Sequence, residues 1–210
     1  MNSNFIMKFA NIFAATCLVL IMQGCTSIPK SESSAKTDSL KLYQLHQENI
    51  KAIGQFSLKG RIGVQSEGKG FSGGINWQHD NTKDVIGLYS PLGGQVASIN
   101  KTSDKVTLED SKGNSISALD AESLTQQTLG WQLPLSGLAD WTIGSPTSGP
   151  IQNSTWDEQG YLTTLRQDGW DIEYQNYSQQ NGHFLPGKIT LKNEKVNLKL
   201  IVENWIIIDL

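Results

Sequence analysis

Two glycine-framed segments are the first places where this sequence could carry out chemistry. Gly70-Phe71-Ser72-Gly73-Gly74 has the spacing of a hydrolase nucleophile elbow, in which a sharp strand–turn–helix junction exposes a serine hydroxyl. Here Ser72 sits in a strand pattern followed by another strand, His79 is isolated, and no acid–base partner can be assigned. Gly182-His183-Phe184-Leu185-Pro186-Gly187-Lys188 approaches a phosphate-binding loop. Ile189 stands where a hydroxyl must hold Mg²⁺, and strand pattern follows instead of a helix. Three scattered histidines and two cysteines, both near the N-terminus, offer no tetrahedral metal set. The acids Asp104, Glu109, Asp110, Asp157, Glu158 and Asp168 lie at or beside turns, where solvated carboxylates belong. No catalytic group, metal or cofactor is expected.

The third reactive position is Cys25. Residues 1–24 carry one charge, Lys8, followed by an apolar run from Phe9 to Met22 that is too short to span a bilayer comfortably. A basic start, an apolar middle and a small residue before the cut make a secretory signal. The closing Met22-Gln23-Gly24-Cys25 resembles a bacterial lipobox, in which the cysteine thiol is diacylglyceryl-modified and the new amine acylated after cleavage. Cleavage would take the formal charge from −3 to −4 and leave Cys25 as the one cysteine. Two or more acyl chains hold firmly without polybasic support. Residues 25–39, rich in serine and lysine, read as the lipidated end and a flexible tether reaching at most about 45–50 Å. A negative net charge gives no general attraction to nucleic acid.

The rest, residues 40–210, reads as one domain. Leu42, Leu45, Ile50 and Ile53 share a helical sector, predicting an amphipathic helix over about 40–53 closed by Gly54. Alternation with period two then takes over. Phe56, Leu58, Ile62 and Val64 share one face, as do Phe71, Gly73, Ile75 and Trp77. Turn signals recur at short intervals, predicting an antiparallel meander through about residue 118. Asp120 caps a helix stopped by Gly130, and Pro134 opens another carrying Leu135, Leu138 and Trp141. Strands resume over 154–157, 161–166, 170–177, 188–192 and 196–208. The expected fold is α+β: a curved, open antiparallel sheet of about eleven strands, with helices over its concave face enclosing apolar space.

Several segments, taken in order, resemble the LolB family of outer-membrane lipoprotein receptors. They are the lipobox, Ile75-Asn76-Trp77-Gln78, Ser90-Pro91-Leu92-Gly93, Gly130-Trp131-Gln132-Leu133-Pro134-Leu135, and Trp141-Thr142-Ile143-Gly144-Ser145-Pro146. Gly169-Trp170 with Tyr174, Leu185-Pro186, Leu198-Lys199-Leu200 and Asn204-Trp205-Ile206 follow, so the likeness spans the mature chain. Ser90 departs from the family's commoner asparagine in that loop. The resemblance implies a half-barrel sheet and a non-enzymatic activity: accepting acylated lipoproteins from the periplasmic carrier LolA and inserting them into the outer membrane. It implies a monomer, lipid-anchored and facing the periplasm, and Thr26 rather than aspartate after the cysteine points to outer-membrane sorting. An acyl-chain cavity is expected from Phe56, Leu58, Ile62, Phe71, Ile75, Trp77, Val96 and Ile172 on the strands, with Leu135, Leu138 and Trp141 from the lid. Pro91, Leu92 and Gly93 are expected to form a membrane-insertion loop. A structural envelope lipoprotein with a filled core, or a lipid-anchored serine hydrolase using Ser72, are the alternatives.

Overall fold

A computed structural model describes residues 32–209. The chain divides into two compact units, Met1–Ala35, almost all of it outside the described residues, and Lys36–Leu210, which holds the fold. The signal segment and Cys25 lie outside the described residues.

Helix α1 (Glu32–Lys51) leads into β1 (Ile53–Ser66), β2 (Lys69–Asp80), β3 (Lys83–Tyr89), β4 (Gln95–Thr102), β5 (Val106–Asp110) and β6 (Ser115–Ala118). Helices α2 (Ala121–Leu129) and α3 (Leu138–Thr142) follow. The chain ends with β7 (Ile151–Trp156), β8 (Leu162–Gln167), β9 (Trp170–Gln180), β10 (His183–Lys192) and β11 (Val196–Asp209). Among the described residues, eleven strands form one antiparallel sheet in the order β6-β5-β4-β3-β2-β1-β11-β10-β9-β8-β7. It is two meanders joined through the first and last strands, which pair over nearly their whole length. One consequence is decisive for the interior. β6 and β7 are neighbours in the chain but lie at opposite edges of the sheet. Residues 119–150 must therefore cross the full width of the sheet, and they bring α2 and α3 with them over one face.

Alternation makes that face apolar. In β1 the even positions Phe56, Leu58, Ile62 and Val64 are buried, and the odd positions Lys59, Arg61 and Gln65 are exposed. Across the strands run rows such as Leu58, Trp77, Ile86, Ile99 and Leu108, each opposite the next in the ladder. Gly60 sits at a register shift where a Cβ would meet the backbone of Ile201 at 2.1 Å, so only glycine fits there. Pro186 lies in β10 beyond the last residue paired with β11, Lys188, where a missing N–H costs no ladder bond on that side. The near-phosphate-loop segment is thus a hairpin: Gly182 takes φ +90° in the β9–β10 turn and the strand runs on from His183.

Three expectations are corrected. Helix α1 starts at Glu32, eight residues before the periodic apolar signal, so part of the expected tether is helical. Its buried side is His46, Gln47 and Ile50 with Tyr43 half-buried, whereas Leu42 and Leu45 face solvent and Ile53 begins β1. The helix expected from Pro134 is shorter. The Pro134 carbonyl accepts from Gly137 and Leu138 in a turn, and helical geometry starts only at Leu138. Val96 does not face the interior. The β3–β4 pairing shifts by one between Leu88 and Tyr89, which turns Ala97 and Ile99 inward and Val96 to the opposite face.

Candidate functional site

The inner face and its cover form one continuous core. Phe56, Leu58, Ile62, Ile75, Trp77, Leu135, Leu138, Trp141 and Ile172 are all buried in it, and Phe71 packs against it half-buried, stacked on Trp131. The structure therefore brings together ten of the eleven residues expected to meet hydrocarbon, and only Val96 is left out. Here their side chains contact one another and the cover.

A few polar contacts tie the cover down, and the sequence pattern gave no sign of them. On one side, the Lys101 ammonium from β4 donates to the carbonyl of Leu135 at 2.9 Å and sits 3.5 Å from Asp84. Asp84, buried on β3, also accepts from Trp77 Nε1 at 2.9 Å and His79 Nδ1 at 2.7 Å. Burial pushes its carboxyl up, but the hydrogen bonds from His79 and Trp77 and the Lys101 charge outweigh this and hold it below the ordinary carboxylate value. On the other side, Gln167 of β8 is wholly buried. Its Oε1 accepts from Trp141 Nε1 at 3.1 Å and Thr147 N at 2.9 Å, while its Nε2 donates to the carbonyls of Thr147 and Gly149 at 3.2 and 2.7 Å. Helix α1 adds two ties, from Gln47 Nε2 to the Gly144 carbonyl at 3.0 Å and from His46 Nε2 to the Phe184 carbonyl at 2.9 Å. Burial pushes the His46 imidazole down, more than the Phe184 carbonyl pulls it up. Between α1 and the strap after α3 opens a cleft of about 810 Å³, lined by Tyr43, Gln47, Asp140, Ser145, Pro146 and Ile151. Beneath the cover, Tyr174 and Tyr177 carry buried hydroxyls with no hydrogen-bond partner among the described residues, and burial pushes both phenols up.

The β3–β4 loop is built to hold a leucine outward. Gly93 N donates to the Ser90 carbonyl at 2.9 Å, and Ser90 N donates to the Gly94 carbonyl at 2.7 Å. The Ser90 hydroxyl accepts from Gly94 N at 3.2 Å. Pro91 presets the turn and Gly93 takes φ +87°, a left-handed value that favours glycine. Leu92 at the tip is 99% exposed. A leucine free to choose would fold back on the core; this turn's own hydrogen bonds fix it in solvent.

Ser72 has none of the surroundings of a nucleophile. It lies in mid-strand opposite Gly63, exposed on the outer face. His79 is seven residues further along the same strand and therefore points to the inner face, engaged with Asp84.

A one-layer antiparallel sheet with its inner face crossed by helices has a counterpart among solved structures. The crystal structure of a LolA superfamily protein from Nitrosomonas europaea superposes with a TM-score of 0.51 over 80% of this chain and 94% of that one, at 10% identity. Sequence narrows the class: a family model described as outer membrane lipoprotein LolB matches residues 54–205, and the chain belongs to that family. It is 35% identical to the outer-membrane lipoprotein LolB of Nitrosomonas europaea over 90% of this chain and 89% of the relative. The LolB of Nitrosococcus oceani is 31% identical over 95% and 98%. The family is one of lipoprotein-localisation proteins of the outer membrane, not of enzymes, and the hydrolase alternative falls with it.

Proposed function

We propose that this protein accepts acylated lipoproteins from the periplasmic carrier LolA and delivers them to the outer membrane. It acts as a monomer, tethered by lipid on Cys25 and facing the periplasm, in three parts: signal peptide 1–24, lipidated end and tether from 25, and the receptor body. The observation that supports this reading best is the inner sheet face. It is apolar across the central strands, yet covered by a segment that a small number of polar contacts hold in place.

The physics of the cargo sets the requirement. Exposing a lipid chain to water costs about 0.8 kcal/mol per CH₂, so the chains must pass from one apolar shelter to the next. The step needs no nucleotide, since a tenfold gain in affinity at handover requires only about 1.4 kcal/mol. In the form described here, the cover supplies the contacts that an acyl chain would make. Entry of a chain exchanges one set of apolar contacts for another as residues 119–150 lift from the sheet. Leu92 is the element that meets the bilayer on delivery.

A handover experiment tests this function. The chain from residue 25 onward, carrying Cys25→Ala, is mixed with LolA loaded with an acylated lipoprotein. The lipoprotein is expected to leave the carrier and co-purify with this chain. If it stays on the carrier, the receptor reading is wrong and the structural envelope lipoprotein takes its place.

A further inference from the structure

The outer face of the sheet carries a charge pattern that the interior does not explain. On the central strands β10, β11 and β1, the outward charged groups among the described side chains are Lys188, Lys192, Lys199, Lys59, Arg61 and Glu203, five cations against one acid in a chain of net charge −3. The ladder register places them close together. Lys188 and Arg61 flank Ile201 in one row, and Lys199 stands opposite Gly63, two residues from Arg61. Strands lie about 4.8 Å apart and same-face neighbours roughly 6.7 Å apart, so the stripe fits within a patch of about 20 Å. Asp171 and Glu173 on β9 bound it on one side.

On the other side the stripe opens into a groove of about 500 Å³ lined by Lys59, Arg61, Ser72, Gly74, Tyr89 and Pro91. The cations stand on one wall, and Tyr89 with Pro91 on the other. The groove therefore ends at the turn that projects Leu92. Between those walls the outward positions on β2 are Ser72 and Gly74, so the floor there is low, while the Tyr89 ring lies over Gly87. The Arg61 guanidinium is paired with Glu203 at 2.9 Å, but both side chains are largely solvent-exposed. Such a pair is worth little and exchanges readily for a phosphate.

We infer that this stripe and groove bind the headgroups of anionic phospholipid, so that the outer face of β10, β11 and β1 lies against the membrane while Leu92 enters it. This rests on the proposed delivery function and adds to it a lipid-charge preference and an orientation. Basic side chains are drawn to an anionic lipid surface within a Debye length, and an aromatic phenol such as Tyr89 suits the interfacial zone. The low floor at Ser72 and Gly74 leaves room for a headgroup between the two walls.

Vesicle co-sedimentation tests it, using the chain from residue 25 with Cys25→Ala. Vesicles are zwitterionic phospholipid with or without phosphatidylglycerol, at low and high salt. The parent chain is expected to bind the phosphatidylglycerol vesicles at least about tenfold more tightly at low salt, with the preference lost at high salt. The combined variant Lys59→Gln, Arg61→Gln, Lys199→Gln should lose that preference, keep its melting temperature and still take lipoprotein from LolA. Leu92→Gln, which adds no charge, should weaken binding to both kinds of vesicle while keeping the charge preference. A parent chain without preference, or a triple variant that keeps it, overturns the inference. Failure of the handover alone would overturn the delivery function and leave the charge preference standing as a separate result.

Discussion

Leu92→Glu should leave the protein folded and able to take cargo, yet slow delivery to the bilayer by about tenfold or more. The folding half follows from exposure. Leu92 is 99% exposed, and the turn that holds it is closed by backbone groups and the Ser90 hydroxyl, none of them contributed by the leucine side chain. Surface changes of this kind alter stability by about 0.5 kcal/mol at most. The delivery half follows from transfer energies. A leucine gains about 0.5 kcal/mol on entering a bilayer, whereas a charged side chain at its centre costs roughly 2.5–3.5 kcal/mol. Even half of that difference at interfacial depth exceeds the 1.4 kcal/mol equal to a factor of ten. The check is the rate at which a preformed cargo complex transfers lipoprotein to outer-membrane vesicles. Leu92→Phe should retain the rate, and a normal rate in Leu92→Glu would remove the loop from the mechanism.

Gln167→Ala should lower stability by about 3 kcal/mol, a fall in melting temperature of roughly 6–12 °C for a domain of this size. The Gln167 amide uses its full hydrogen-bonding capacity, four bonds to Trp141, Thr147 and Gly149. Truncation leaves the Trp141 indole N–H, itself in a 1% exposed ring, and the Thr147 amide without their acceptor. An unsatisfied buried group costs about 1–3 kcal/mol, and the emptied volume adds to that. Thermal melts of the variant and of Gln167→Glu, which keeps the acceptor and loses both donors, separate the two halves of the network. A variant that melts with the parent would show that the strap after α3 is not fastened there.

The sheet was legible because its signal has period two and its turns carry glycine, asparagine and aspartate. The faces of β1 and β2 follow directly from Phe56, Leu58, Ile62, Val64, Phe71, Ile75 and Trp77. The α2 boundaries were legible too, since the Asp120 carboxylate caps Glu122 and Ser123 and Gly130 takes φ +83°. Errors arose where polarity misleads. Helix α1 turns Tyr43, His46, Gln47 and Ile50 inward, a perfect helical spacing hidden because half of it is polar, while Leu42 and Leu45 point to solvent. In Val96-Ala97-Ser98-Ile99 two adjacent apolar residues compete, and the one-residue shift that favours Ala97 depends on the preceding loop. Gln167 and Lys101 gave no local signal, because their partners Thr147 and Leu135 lie 20 and 34 residues away on the cover. Leu92 was legible as a leucine misplaced in a turn; that the turn holds it fully outward required the structure.

Photo-cross-linking from two adjacent positions reports whether acyl chains lie on the inner face of the sheet. A photoreactive side chain replaces either Ile75, which faces the core, or Asn76, which faces outward on the same strand, and the cargo carries labelled acyl chains. After handover from LolA, label is expected to attach to the chain modified at position 75 and not to the one modified at position 76. Equal labelling at both, or none at position 75 while lipoprotein is bound, would contradict that placement.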